Sequence, residues 1–301
     1  MATAAEPRPA SLPLPGGREG ATVRLYPLLC GRMSVPPGYL HRDEGRLRTL
    51  RAIGFRVPRE QLVELPVLAF LVEHPRAGKL LVDTGFHPSV AVDPDQAFGR
   101  IGRLVIKSVE MDTKQSLPAQ LRDRGITAGE IGLVLMTHLH ADHAGAVSEF
   151  PRSTFLVTGD EWRAAGAGGA RQGYSRRHFD HAFDWRTIDF GERGADSFAT
   201  FGRSLDVLGD GSVRLVSTPG HSAGHMSVVL RLRKREVLLA GDAVDTLLTL
   251  RESRLPYMMS DEHRFRRSLR EIQLYARENP DALVLCGHDM EQWRGLREAY
   301  E

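Results

Sequence analysis

The chain has little cysteine: Cys30 and Cys286 are the two thiols in 301 residues. A disulfide framework is thereby excluded, and each thiol reads as a small buried side chain rather than a ligand or nucleophile. Long apolar runs are missing as well. None reaches the roughly 18 residues that a membrane span needs. The first twenty residues carry Pro13, Pro15, Gly16, Gly17 and Gly20 but lack the apolar core of a secretory signal. A one-signed charge is also absent, with a formal net charge of +2. The basic segments RRHFDH and RLRKRE are short and read as solvated faces, so neither nucleic acid nor membrane is an expected partner. These absences lead us to expect a soluble cytoplasmic protein, with a flexible tail over residues 1–20 and one folded domain over residues 21–301.

What is present is concentrated at residues 137–145, Thr-His-Leu-His-Ala-Asp-His-Ala-Gly. Three histidines and an aspartate follow directly on the apolar run 131–136. A strand ending this way brings metal-capable side chains to one sheet edge, where open α/β sheets keep their sites. Three later segments have the same form: Thr218-Pro219-Gly220-His221, Gly241-Asp242 and Gly287-His288. The glycine before each candidate ligand lets the backbone turn sharply. Imidazole nitrogen and carboxylate oxygen suit zinc, with iron, manganese and cobalt as the other ions such a set accepts. His138 and His140, two apart, point to the same side of an extended chain and can share one ion with His221. Asp142 and His143 would serve a second ion with His288, and Asp242 is placed to bridge the two.

Around these motifs the pattern predicts strands over 67–73, 80–83, 131–136, 155–157, 213–216, 226–232, 237–240 and 282–286. It predicts a helix over 117–124 capped by Ser116. A second helix should begin at Ser260, carry Phe265, Leu269, Ile272 and Ala276 as its apolar stripe, and end at Asn279-Pro280. Residues 163–176 read as a loop or irregular helical excursion, and 91–114 give no pattern. Strands and helices alternate in both halves, which argues for sheets with helices packed outside.

In this order, T-H-L-H-A-D-H-A-G, T-P-G-H, G-D and G-H-D resemble the metallo-β-lactamase superfamily, and Leu81-Val82-Asp83-Thr84-Gly85 is similar to its first motif. The resemblance implies an α/β fold, the αββα four-layer sandwich with two metals at one edge. It also implies that Asp83 orients the metal loop without binding metal. A secreted β-lactamase would carry cysteine where this chain has Asp242, and a flavodiiron protein glutamate where it has His140. Glyoxalase II would continue into a helical domain, whereas thirteen residues follow His288.

The N-acyl homoserine lactonase branch is the best match, on the segments 137–145, 218–225, 241–243 and 287–292. It implies a hydrolase that opens the lactone ring with two divalent ions, Asp142 or Asp242 shuttling the proton and Asp83 and Thr137 fixing ligand rotamers. It implies a small ester or lactone substrate and, as in similar enzymes, a homodimer. Two features depart from the branch: Asp245 stands where it places a substrate-contacting tyrosine, and the segment between His143 and His221 is longer. Tyr257, on the following loop, is the replacement hydroxyl that the sequence offers. The alternatives are a hydrolase of other lactones, small esters or organophosphates, a metal-binding protein without turnover, and an RNA-processing nuclease. Among the other histidines, His225 is expected to pack behind the site. His178 and His181 should lie on the surface, and His41, His74, His87 and His263 have no assigned partner.

Overall fold

Successive residues of a strand point to opposite faces of a sheet, so a strand that is apolar throughout needs cover on both sides. The computed structural model, which describes residues 5–102, 104–191 and 194–301, meets that need with two facing sheets and helices outside each. The larger sheet is built from β1 (Arg8–Pro9), β2 (Arg24–Val35), β3 (Val63–His74), β4 (Gly78–Val82), β5 (Ser108–Glu110), β6 (Ile131–Leu135), β7 (Thr154–Thr158) and β8 (Asp184–Ile188). Its order is β1-β8-β7-β6-β4-β3-β2-β5, parallel from β1 to β4 and antiparallel beyond. The smaller sheet holds β9 (Asp196–Phe198), β10 (Phe201–Asp206), β11 (Val213–Ser217), β12 (Met226–Arg231), β13 (Glu236–Leu239) and β14 (Leu283–Leu285), in the order β14-β13-β12-β11-β10-β9.

Alternation sorts the core into layers. Leu80, Val82, Leu133 and Leu135 face the smaller sheet and meet Leu215, Val228, Val237 and Leu239 there. Leu81 and Val134, on the other face, pack with Leu117, Leu121 and Trp162 from the helices Leu117–Asp123 and Gly159–Ala167. Val216, Val229 and Leu238 are covered in turn by Phe265, Leu269, Ile272 and Tyr275 of the helix Glu262–Glu278. The result is the αββα sandwich expected from the sequence.

Each strand predicted from residue 67 onward is present, to within one or two residues at its ends except β3, which begins four residues earlier than predicted, at Val63. Both predicted helices form, but their caps differ. Asp261, not Ser260, caps the long helix by accepting from the Arg264 amide at 3.0 Å. Ser116 holds the cap position of its helix, yet its hydroxyl donates to the Thr113 carbonyl instead. The excursion at 163–176 is irregular helix: the end of Gly159–Ala167, then the short turn Ala170–Gln172. Residues 91–114 hold short helical turns and β5.

The flexible tail expected over residues 1–20 differs from what forms over 5–20, residues 1–4 lying outside the described part. Arg8 and Pro9 pair with Arg186 and Thr187 of β8, and the Leu14 amide donates to the Val207 carbonyl at 2.7 Å. Leu12 and Leu14 pack against the core between the sheets. The reason is that β8 would otherwise present an unpaired edge.

His178 corrects the surface expectation for itself. It lies in the short helix Arg176–Phe179, only 5% exposed, with Nε2 at 3.3 Å from the Ala97 carbonyl. Burial, reinforced by Arg177, holds its pKa down at about 4. A base whose folded pKa lies below its unfolded value near 6.5 destabilises the fold as pH drops through that interval. Its full contribution is therefore present above pH 6.5 and lost toward pH 4. In metal-free protein, replacing His178 by Gln should flatten the fall of the urea midpoint between those two pH values relative to wild type.

Candidate metal centre

Five strands deliver the site from their C-terminal ends. β4 runs into Asp83 and β6 into residues 137–143, while β11, β13 and β14 lead to His221, Asp242 and His288. The two sheets thus meet at one edge. His138, His140, His221 and Asp242 offer donor atoms within 4.8 Å of one another, and so do Asp142, His143 and His288. All seven residues predicted from sequence lie in this one buried cluster.

Asp242 stands between the two groups. Its Oδ1 is 3.2 Å from His143 Nε2, and its Oδ2 is 3.3 Å from both His221 Nε2 and His288 Nε2. Asp142 Oδ2 approaches His288 Nε2 at 3.5 Å and His143 Nε2 at 3.7 Å. Burial opposes the charge on Asp242, yet His288, His143, His221 and His138 hold its carboxyl well below the usual range. Burial keeps His138 and His221 neutral, with pKa values well below the ordinary imidazole value. Neutral imidazole is the form that binds metal.

Hydrogen bonds behind the cluster fix which ring nitrogen faces inward. Asp83, in a left-handed backbone conformation with φ at 58°, accepts from the Thr137 amide at 2.8 Å. Its other oxygen accepts from the Thr137 hydroxyl at 2.7 Å and from His143 Nδ1 at 2.8 Å. Having donated to Asp83, the Thr137 hydroxyl accepts from His138 Nδ1 at 3.1 Å. His288 Nδ1 donates to the Pro66 carbonyl at 3.0 Å. In each case Nε2 is left to the interior.

Among the described residues, His138 Nε2, His143 Nε2 and Asp242 Oδ1 are buried with no hydrogen-bond partner. Buried polar atoms without partners are rare. Ring nitrogens and a carboxylate turned toward one another without hydrogen bonds are what a cation completes. The donor set fits a pair of divalent ions.

The glycines act in two ways. Gly220 and Gly241 have φ of 134° and 53°, as a sharp turn requires, and a Cβ on Gly220 would lie 2.1 Å from the Phe265 amide. Gly287 has no positive φ, which corrects the uniform turning role expected. Its need is closeness, since a Cβ there would fall 2.7 Å from Asp242 Oδ1.

His225 packs behind the site as expected and also positions a candidate ligand. Its Nε2 accepts from the Asp242 amide at 3.1 Å and its Nδ1 donates to Thr218 at 2.9 Å. Glu161 was not visible as a site residue from sequence. Fully buried at the start of its helix, it accepts from the Leu139 amide and the Tyr174 hydroxyl through Oε1, both at 3.0 Å. Oε2 accepts from Ser222 at 2.6 Å and the Gly224 amide at 3.1 Å. One carboxylate thereby ties the loop of His138 and His140 to the loop of His221. The only hint was Thr158-x-x-Glu161 after a strand, which reads as a capping box.

In front of the cluster opens a cavity of about 570 Å³. Asp142, His221, Asp242 and His288 form its floor, and Met33, Leu65, Phe98, Val105 and Ile106 give it an apolar wall. Asp245 lines it too, its carboxyl pushed up to about 8 by burial and by Asp242. Tyr257 reaches the cavity, but its hydroxyl donates to Thr49 at 3.3 Å.

This edge-of-sandwich site has known counterparts. A family model described as the metallo-beta-lactamase superfamily matches residues 62–288. The chain belongs to the metallo-beta-lactamase superfamily. Within that superfamily it is 34% identical over 245 residues to the N-acyl homoserine lactonase AttM of Agrobacterium fabrum, covering 79% of this chain and 87% of AttM. It is 31% identical over 236 residues to a probable metallo-hydrolase of Mycobacterium tuberculosis, covering 73% of this chain and 74% of that one. The fold is also that of a B. thuringiensis AiiA variant with N-decanoyl-L-homoserine bound at the active site, with a TM-score of 0.73 at 22% identity, covering 94% of this chain and 98% of AiiA. The chain is thus a metallo-hydrolase by family and by site.

The network around Glu161 makes a prediction for this superfamily member. Glu161→Ala leaves two loops untied, and loss of such supporting partners typically costs about ten- to a hundredfold in metal affinity. Competition with a chromophoric chelator should show that weakening, while Asp160→Ala, one residue away and exposed, should bind metal as wild type does.

Proposed function

We propose that this chain hydrolyses N-acyl homoserine lactones, using two divalent ions. His138, His140 and His221 would hold one ion, and Asp142, His143 and His288 the other, with Asp242 shared. The observation that carries this reading is Asp242, its two oxygens directed at the two donor groups on the floor of an apolar-walled cavity. The AttM relatives, which are lactonases by name, support the substrate class. Zinc is the ion that five imidazoles and two carboxylates suit best. Both cysteines are unpaired and buried, in keeping with a reducing cytoplasm.

When bound, such ions would supply Lewis acidity and a water whose pKa falls from 15.7 toward about 7. The remaining work belongs to side chains. The apolar wall takes the acyl chain and excludes bulk water from the floor. Asp142, with Oδ2 turned to His143 and His288, is the carboxylate placed to take a proton from the attacking water and return it to the homoserine hydroxyl as the ring opens. Asp242, held by His225 through its amide, keeps the two donor groups in register.

Ring opening releases a proton, which a pH indicator follows directly. Metal-loaded wild type should open a series of acyl homoserine lactones. Chelation should abolish turnover and metal readdition restore it, and His140→Ala should lose at least about a hundredfold in kcat/KM, as is typical when a reaction loses its Lewis acid. Two bound metals with no ring opening would refute the lactonase reading and direct the search to other esters and phosphotriesters.

A further inference from the structure

The structure gives a phenol to the cavity, beside Asp245, from a segment distant in sequence. Tyr39 lies in the short helix Pro37–Leu40 that follows β2, and it lines the cavity together with Asp142, Asp242, Asp245 and His288. Among the described residues its hydroxyl has one hydrogen-bond partner, the Met258 sulfur at 3.6 Å. A thioether is a weak acceptor, so this donor is not committed within the protein.

The backbone around Tyr39 is fixed from both sides. Its amide donates to the Pro36 carbonyl at 2.9 Å, and its own carbonyl accepts from the Tyr257 amide at 2.8 Å. The ring is thus anchored to the loop at 256–258, which forms another part of the cavity wall. Burial, and then the carboxylates of Asp142, Asp245 and Asp242, raise the phenol pKa above its ordinary value and keep the proton in place. Tyr257, the replacement suggested by sequence, has its hydroxyl turned to Thr49.

We propose that Tyr39 donates its phenolic hydrogen to the carbonyl oxygen of the substrate's lactone, supplying that contact from the end of β2. The assignment rests on the lactonase reading above. Charge grows on that oxygen as the carbonyl is attacked, so the hydrogen bond strengthens toward the transition state.

Tyr39→Phe keeps the ring and removes only the donor. With both metals retained and the thermal midpoint unchanged, kcat/KM on an acyl homoserine lactone should fall about ten- to a hundredfold, the range for a hydrogen bond to a charged group. The loss should fall mainly on kcat. Calorimetry with the ring-opened N-acyl homoserine should show weaker binding to the variant, a readout independent of turnover. An active wild type with a Tyr39→Phe variant equal to it in both measurements would overturn the role of Tyr39 alone. So would a loss confined to Tyr257→Phe. A wild type that binds two metals but neither opens the lactone nor binds its product would overturn this assignment together with the lactonase reading.

Discussion

A carboxylate facing several imidazoles in a dry pocket is the constraint on which the rest of this molecule depends. Asp242 is 4% exposed and lies within 3.7 Å of ring nitrogens from His138, His143, His221 and His288. Burying His138 Nε2, His143 Nε2 and Asp242 Oδ1 without hydrogen-bond partners would be costly unless something completes them. The fold accepts that cost by placing them where two sheets end together. β4 and β6 bring one share from the larger sheet, and β11, β13 and β14 bring the other. Neither sheet could assemble the cluster alone, so the packing between the sheets and the integrity of the site are one property.

Two further buried carboxylates hold the arrangement from outside, and they divide the task. Asp83 works on the segment after β6, gripping Thr137 by amide and hydroxyl and His143 by its ring. Glu161 works across the cleft, joining the Leu139 amide to Ser222 and Gly224. Acceptor-only groups suit this work, because each carboxylate oxygen can gather two donors from different loops. Asp83 and Glu161 are therefore as much a part of the centre as the donor atoms themselves.

How much of this was legible follows from how local each signal is. The candidate donors sit in short contiguous motifs directly after apolar strands, so residues 137–143 and the pairs ending at His221, Asp242 and His288 could be read in order. The long helix was equally plain, because Phe265, Leu269 and Ile272 repeat at helical spacing, although its cap is Asp261 and not the Ser260 read from sequence. β2 was not legible. Pro27 and Gly31 break its pattern, and its pairing with β3 shifts register between Leu29 and Arg32. The pairing of β1 has two residues and no pattern at all. Glu161 resembled an ordinary helix start, and only the fold shows that its side chain turns inward. Tyr39 carries no motif, since its place in the cavity depends on the contact between the end of β2 and the loop at 256–258.

That contrast also separates the parts of the site by how they are held. The floor of the cavity is held by strand ends, buried carboxylates and glycines with no room for a Cβ, so a change there propagates into metal binding and packing together. The wall is assembled from segments far apart in sequence: residues 33–40, Phe98 with 104–106, 170–173 and 256–258. None of these carries a candidate ligand. A hydroxyl carried by residue 39 can thus enter the cavity while the floor stays as it is, since the substrate meets the surface of the cavity and not the order of the chain. Selection of the acyl group is separable from the chemistry for the same physical reason. The groups that would hold the ions are fixed by the two sheets, and those that would hold the substrate are fixed by loops that the sheets only support.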